Sequence, residues 1–145
     1  MPNSKLIDSL QRDFPEFKFV SGQKFAFRPP KTIVLGPEEP RSELLALHEV
    51  GHAVLEHRDF KTDVERLKME CMAWEKAREL ADVYGVLFDE EFAEGELDTY
   101  RDWLHKKSRC PNCGLTRFQD TDGYHCPRCE EFISSLGHDE RFVRP

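Results

Sequence analysis

The sequence lacks a long apolar run, an excess of basic residues and a secretory pattern at its start. Its apolar runs, such as residues 32–35, are far too short to cross a membrane, so we expect no transmembrane segment. Residues 1–11 contain no basic start followed by an apolar stretch, and we therefore expect a cytoplasmic protein. The net charge of -7 argues against nucleic-acid binding by the chain as a whole, so only a local basic patch could bind nucleic acid.

The composition is that of a folded globular chain. Of the 145 residues, 39% are hydrophobic and 34% are charged, which is enough apolar material for a compact core. The length predicts one domain, or one small domain with an appendage. At Ser108 the composition changes abruptly to Cys, Pro, Gly and polar residues. We therefore predict two units, residues 1–107 and residues 108–145.

The first forty residues predict one short helix followed by strands. Leu6, Ile7 and Leu10 have helical spacing, which indicates a short amphipathic helix. Alternating phenylalanines at residues 17–19 and 25–27 predict two short strands around a turn, and residues 31–35 predict a further strand. With the helices that follow, these strands predict an α+β fold with a small, mainly antiparallel sheet.

Three longer helices are predicted after this sheet. Ser42 can cap the first of them. Thr62 opens the second, where Glu65 completes a capping box, and Gly85 ends it. Asp89 opens the third, which is acidic at its start and basic at its end, as the helix dipole favours.

The first of these helices contains the HEVGH motif of residues 48–52. Residues four apart leave one face of a helix, so His48 and His52 can hold a single zinc ion. Glu49 lies to the side of this pair, where it can act as a general base on a zinc-bound water without being a ligand. The pattern predicts a catalytic zinc site.

A third ligand is expected from the second helix. Glu70 falls in the middle of the apolar stripe of that helix, whereas Glu75 falls on the polar face. A buried carboxylate needs a compensating charge, and a metal ion held by two histidines would supply it. We predict Glu70 as the third ligand and keep Glu75 as the fallback. His57 is a weaker candidate because it points away from His52 unless the helix has already ended.

Two stretches carry a resemblance to a known family. LLALHEVGHAVLEH at residues 44–57 and MECMAWEKA at residues 69–77 resemble the ImmA/IrrE-type zinc-dependent metallopeptidases, which are small gluzincin-like enzymes. The likeness covers roughly residues 1–105. It implies a minigluzincin-like peptidase domain with His48, His52 and Glu70 as zinc ligands and Glu49 as general base. It also implies a protein or peptide substrate, such as a repressor-type regulator.

The second unit contains two CxxC pairs separated by twelve residues. Cys110 and Cys113 form the first pair, and Cys126 and Cys129 form the second. Two such knuckles complete a tetrahedral site of four thiolates, so this unit resembles a zinc ribbon whose zinc is structural. In a chain without an export signal, metal binding is the better interpretation than disulfides. We therefore expect two zinc ions, one catalytic and one structural.

The basic residues near the cysteines suggest a docking role for the ribbon. They form a modest patch in an acidic chain, and both DNA and protein remain open as partners. The patch consists of Lys106, Lys107, Arg109, Arg117 and Arg128.

The expected function is zinc-dependent hydrolysis of peptide bonds in a cytoplasmic protein substrate. The alternative is a non-catalytic zinc-binding module that docks protein or DNA through the ribbon. An intact Glu49 speaks against that alternative, because metal binding alone does not need it. DNA-associated proteolysis of the SprT-like kind is a third option, but those enzymes use a histidine as third ligand.

Overall fold

The fold combines four helices with two small three-stranded sheets, as seen in a computed structural model that describes residues 4–129 and 132–134. This mixture of helix and sheet is compatible with the predicted α+β class. The tail at residues 135–145 lies outside the described residues. In chain order the elements are α1 (Ser4–Asp13), β1 (Lys18–Ser21), β2 (Ala26–Arg28), β3 (Thr32–Leu35), α2 (Ser42–Val54), α3 (Asp63–Tyr84), α4 (Glu90–Ser108), β4 (Phe118–Gln119), β5 (Gly123–His125) and β6 (Phe132–Ser134).

The first sheet is mixed rather than mainly antiparallel, which corrects the sequence prediction. Strand β3 lies in the middle and pairs parallel with β1 and antiparallel with β2. Strands β1 and β2, which the sequence predicts on either side of a turn, therefore do not pair with each other. The physical reason lies in β3, where Ile33, Val34 and Leu35 are all buried. A continuous apolar strand is covered on both faces and belongs at the centre of a sheet.

Helix α2 is the most enclosed element of the fold. Ten of its 13 residues are buried, including both histidines and the glutamate of the HEVGH motif. A helix that is buried on all sides must be covered by other elements, and here α3 and the first sheet cover it. The motif therefore lies inside the core rather than on an exposed helix face.

The helix ends follow the predicted caps in three of four cases. The Thr62 hydroxyl accepts a hydrogen bond from the backbone N–H of Glu65 at 3.3 Å, and Gly85 ends α3 in the left-handed conformation. The Asp89 side chain accepts from the backbone N–H of Phe92 and caps α4. The prediction for Ser42 is wrong, because Ser42 is already the first helical residue and the preceding residue makes no side-chain cap.

Two candidate metal centres

The first candidate centre is formed by three buried side chains from α2 and α3. His48 Nε2 lies 3.2 Å from His52 Nε2, so the two rings converge as the four-residue spacing predicts. Glu70 of α3 brings Oε2 to 2.9 Å from His48 Nε2 and Oε1 to 3.3 Å from His52 Nε2. Glu70 is only 1% exposed, whereas Glu75, the fallback, lies on the exposed side of α3.

The close approach of α2 and α3 determines this arrangement. A Cβ atom on Gly51 would lie 2.7 Å from the backbone oxygen of Ala73, so the two helices meet where α2 has no side chain. Glu70 precedes Ala73 by about one helical turn and therefore faces the two histidines. Trp74, also on α3, stacks on the His48 ring with a centroid distance of 4.3 Å and restricts its orientation.

The donor atoms of this cluster fit a zinc ion. Zinc bonds of about 2.0–2.2 Å at tetrahedral angles place ligand atoms about 3.3–3.6 Å apart, close to the separations of 2.9 to 3.3 Å found here. Two imidazoles and a carboxylate are also the ligand set of many zinc hydrolases. Within the described residues, Glu70 Oε1 is buried, and its 3.3 Å contact with His52 Nε2 lacks the geometry of a well-aligned hydrogen bond. A cation shared by the three side chains would satisfy it.

Glu49 is buried beside this cluster without belonging to it. Its side chain is 5% exposed, and its Oε2 has no hydrogen-bond partner among the described residues. Burial raises the pKa of Glu49 to about 8, His52 opposes this shift, and the nearby Glu70 adds to it. A carboxyl group with a raised pKa next to a candidate metal site is the pattern of a general base or acid.

The pKa of Glu70 shifts in the opposite direction. Burial is the largest influence on it and acts to raise it. The charges and hydrogen bonds of His52 and His48 together outweigh burial, so the net shift of the Glu70 pKa is downward. Glu70 is therefore ionised at neutral pH, as a metal ligand must be.

His57 lies next to the cluster, because helix α2 ends before this residue. Helix α2 ends at Val54, three residues before His57, and Glu56 adopts a left-handed conformation with φ 57°. This turn brings His57 Nδ1 to 2.9 Å from His52 Nδ1 and leaves the side chain only 6% exposed. His57 therefore contacts the nitrogen of His52 that faces away from the cluster, and it does not belong to the group formed by His48, His52 and Glu70. No glycine at position 56 signals this turn in the sequence.

The second candidate centre consists of the four cysteines of the C-terminal unit. The Sγ atoms of Cys110, Cys113, Cys126 and Cys129 all lie within 4.8 Å of one another, so the cluster can hold a metal ion such as zinc. Cys113 Sγ and Cys126 Sγ are 3.6 Å apart, close to the roughly 3.8 Å expected for two thiolates on one tetrahedral zinc. A hydrogen bond from the backbone N–H of Cys129 lowers the pKa of Cys126 to about 7.

The cysteine unit packs against the start of α3 through Asp63. The Tyr124 hydroxyl of β5 donates a hydrogen bond to the Asp63 carboxylate, and Lys107 Nζ lies 3.1 Å from the same oxygen. The backbone N–H of Asp63 also donates to Gln119 Oε1 at 2.6 Å. Asp63 is 3% exposed, so these groups form a buried polar junction.

The basic patch predicted near the cysteines is smaller than the sequence indicates. Arg117 is buried and donates from Nη2 to the backbone oxygen of Lys107 at 2.7 Å. Lys107 itself pairs with Asp63. The remaining members, Lys106, Arg109 and Arg128, are exposed.

No protein-family model, curated protein or solved structure matches this chain. Among the described residues, no helix is both long enough and apolar enough to cross a membrane.

Proposed function

We propose that the chain is a zinc-dependent metallopeptidase that hydrolyses peptide bonds in a cytoplasmic protein substrate, like the ImmA/IrrE-type enzymes it resembles. The observation that carries the proposal is the convergence of His48, His52 and Glu70 beside a buried Glu49 on the same helix as the histidines. In this proposal the three converging side chains hold the catalytic zinc and the four cysteines hold a structural zinc. A bound zinc ion supplies Lewis acidity, which acidifies water and polarises a carbonyl group.

Glu49 performs the proton transfers in the proposed reaction. Its carboxylate accepts a proton from the attacking water as the water oxygen bonds to the scissile carbonyl carbon. The same group then delivers this proton to the leaving nitrogen as the C–N bond breaks. Burial raises the pKa of Glu49 to about 8, and a nearby cation would lower it towards neutrality by favouring the carboxylate.

The burial of the site supports a second candidate function. His48 is 6% exposed, His52 0% and Glu70 1%. A polypeptide substrate therefore reaches them only if some of the residues that cover them move. A non-catalytic zinc-binding module, docking protein or DNA through the cysteine unit, needs no such opening. The buried Glu49 favours the peptidase, because a structural metal site gains nothing from an additional buried carboxyl group.

The proposal is tested by comparing wild type, Glu49→Gln and Glu43→Gln on a peptide library made from a digested bacterial lysate, with new termini read by mass spectrometry. Glu43 is a matched control because it lies on the same helix outside the cluster. We expect new termini with wild type and Glu43→Gln, and at least a roughly 100-fold lower rate with zinc-loaded Glu49→Gln. Equal cleavage by Glu49→Gln would exclude the mechanism. An inert, zinc-loaded wild type would favour the second candidate.

A further inference from the structure

The contact between His52 and His57 has no part in the mechanism above. The two Nδ1 atoms are 2.9 Å apart, and both side chains are buried, at 0% and 6% exposure. The rings meet edge to face, with centroids 5.1 Å apart. On the opposite side of the His52 ring, Nε2 points at His48 and Glu70. His52 therefore uses both of its nitrogens, one towards the metal cluster and one towards His57.

The backbone after α2 is shaped to bring His57 into this position. The backbone N–H of His57 donates to the backbone oxygen of His52 at 3.0 Å. The backbone N–H of Glu56 donates to the backbone oxygen of Ala53 at 3.1 Å. These two bonds form the turn that commonly ends helices with a left-handed residue, usually glycine. Here Glu56 occupies that position with φ 57°, a conformation that costs free energy for a residue with a Cβ atom. A strained turn that buries a histidine against a candidate ligand points to a role for that histidine.

The role of His57 follows from the chemistry of imidazole. A neutral histidine that gives its Nε2 lone pair to a metal carries its proton on Nδ1. That proton needs an acceptor, and metal-binding histidines usually donate it to a neighbouring group, which fixes both the tautomer and the ring orientation. His57 Nδ1 lies at hydrogen-bond distance from His52 Nδ1 and can accept this proton.

We infer that His57 is a positioning residue for the candidate zinc site, accepting the Nδ1 proton of His52 and holding that ring with Nε2 towards the metal. This inference rests on the proposed zinc site. His57 keeps its own proton on Nε2 and touches neither metal nor substrate. Loss of the acceptor removes the hydrogen bond at His52 Nδ1 and weakens zinc binding at this centre but not at the cysteines.

The test compares zinc affinity in wild type, His57→Leu and His57→Asn by competition with a chelator. Asparagine can offer an oxygen near the position of Nδ1, whereas leucine fills the space without an acceptor. We expect His57→Leu to bind zinc at the histidine centre about 10- to 100-fold more weakly and His57→Asn within about threefold of wild type. Zinc at the four cysteines is the internal reference and stays unchanged. His105→Leu, at an exposed histidine of α4, is the matched control.

A second measurement applies even if His57→Leu fails to fold. Nitrogen NMR of the zinc-loaded wild type should show His52 protonated on Nδ1 and His57 protonated on Nε2. A His57 protonated on Nδ1, wild-type affinity in His57→Leu, or equal weakening in His57→Asn and His57→Leu would each overturn the inference. These results differ from failure of the proposed zinc site, in which wild type itself takes up a single zinc, at the cysteines.

Discussion

Glu49 and Glu70 are both buried carboxyl groups, yet their pKa values move in opposite directions. Glu70 contacts both histidines, and their charges and hydrogen bonds lower its pKa in spite of burial. Glu49 has a buried oxygen without a hydrogen-bond partner among the described residues, and burial raises its pKa to about 8. Two carboxyl groups with diverging pKa values suit two roles, an ionised ligand and a group that exchanges protons.

This difference predicts how the pH changes the stability of the metal-free protein. Between about pH 4.3 and about pH 8 the folded state holds a proton on Glu49 that the unfolded chain has lost. The stability due to the neutral carboxyl group is present at low pH and is lost as the pH rises through about 8. Glutamine stays neutral. We therefore expect the stability of Glu49→Gln relative to wild type to rise by up to about 1.4 kcal/mol per pH unit over this window.

The measurement is urea unfolding of both chelator-treated proteins at several pH values between about 5 and 8. Taking the difference between the two proteins cancels the titration of the other groups, such as His57 and Cys126. A difference that stays constant with pH would show that the carboxyl group of Glu49 is ionised throughout, contrary to the account.

At the scale of elements, the site depends on how closely α2 and α3 approach. Gly51 is the point of contact, since a Cβ atom there would lie 2.7 Å from the backbone oxygen of Ala73. We expect Gly51→Ala to push the helices apart, to cost about 1–3 kcal/mol of stability and to weaken zinc binding at the histidine centre. Gly95→Ala on α4 is the matched control, because a Cβ atom there would meet no described atom within 4 Å.

The control variant Gly95→Ala should be more stable than wild type by about 0.5–1 kcal/mol, as expected for alanine replacing glycine within a helix. Thermal or urea unfolding and zinc competition measure both variants. If Gly51→Ala were as stable as wild type and bound zinc equally well, the close approach would not be needed to place Glu70.

Features that depend only on residues close together in the sequence, such as helix caps and the helical period, predicted the helices well. The Thr62 and Asp89 caps and the Gly85 end were correct because each depends on local hydrogen bonds. The apolar stripe of α3 placed Glu70 on the buried side, because burial follows the helical period.

Features that depend on contacts distant in sequence were predicted less well. The order of the first sheet depends on which strand is covered on both faces, and only the continuous apolar run of β3 hints at this. The position of His57 depends on a left-handed Glu56. Such a turn is usually predicted from a glycine, and glutamate gives no such indication. The buried state of Arg117, predicted as part of a basic patch, arises from backbone oxygens that it meets only in the fold.

At the scale of the whole molecule, Asp63 links the cysteine unit to the helix that carries Glu70. Asp63 accepts a hydrogen bond from Tyr124 and pairs with Lys107. We expect a double-mutant cycle of Asp63→Ala and Tyr124→Phe to give a coupling of about 1 kcal/mol, because the junction is buried. We expect this coupling to disappear in a Cys126→Ala background, where the proposed structural zinc site loses one of its four ligands.

The cycle is measured by urea unfolding, with Asp122→Ala, at an exposed acid of the same unit, as the control partner for Tyr124→Phe. A coupling of the same size with and without Cys126 would mean that the junction forms independently of the cysteine cluster.

The central claim is that His48, His52 and Glu70 bind one zinc ion and the four cysteines bind another. Its most direct test is the zinc content of purified wild type, Glu70→Ala, Glu75→Ala and Cys126→Ala, measured by inductively coupled plasma mass spectrometry after equal exposure to zinc. We predict two zinc ions in wild type and in Glu75→Ala, whose side chain is exposed, and one in each of the other two variants. A Glu70→Ala protein that retains both ions at unchanged affinity would contradict the account.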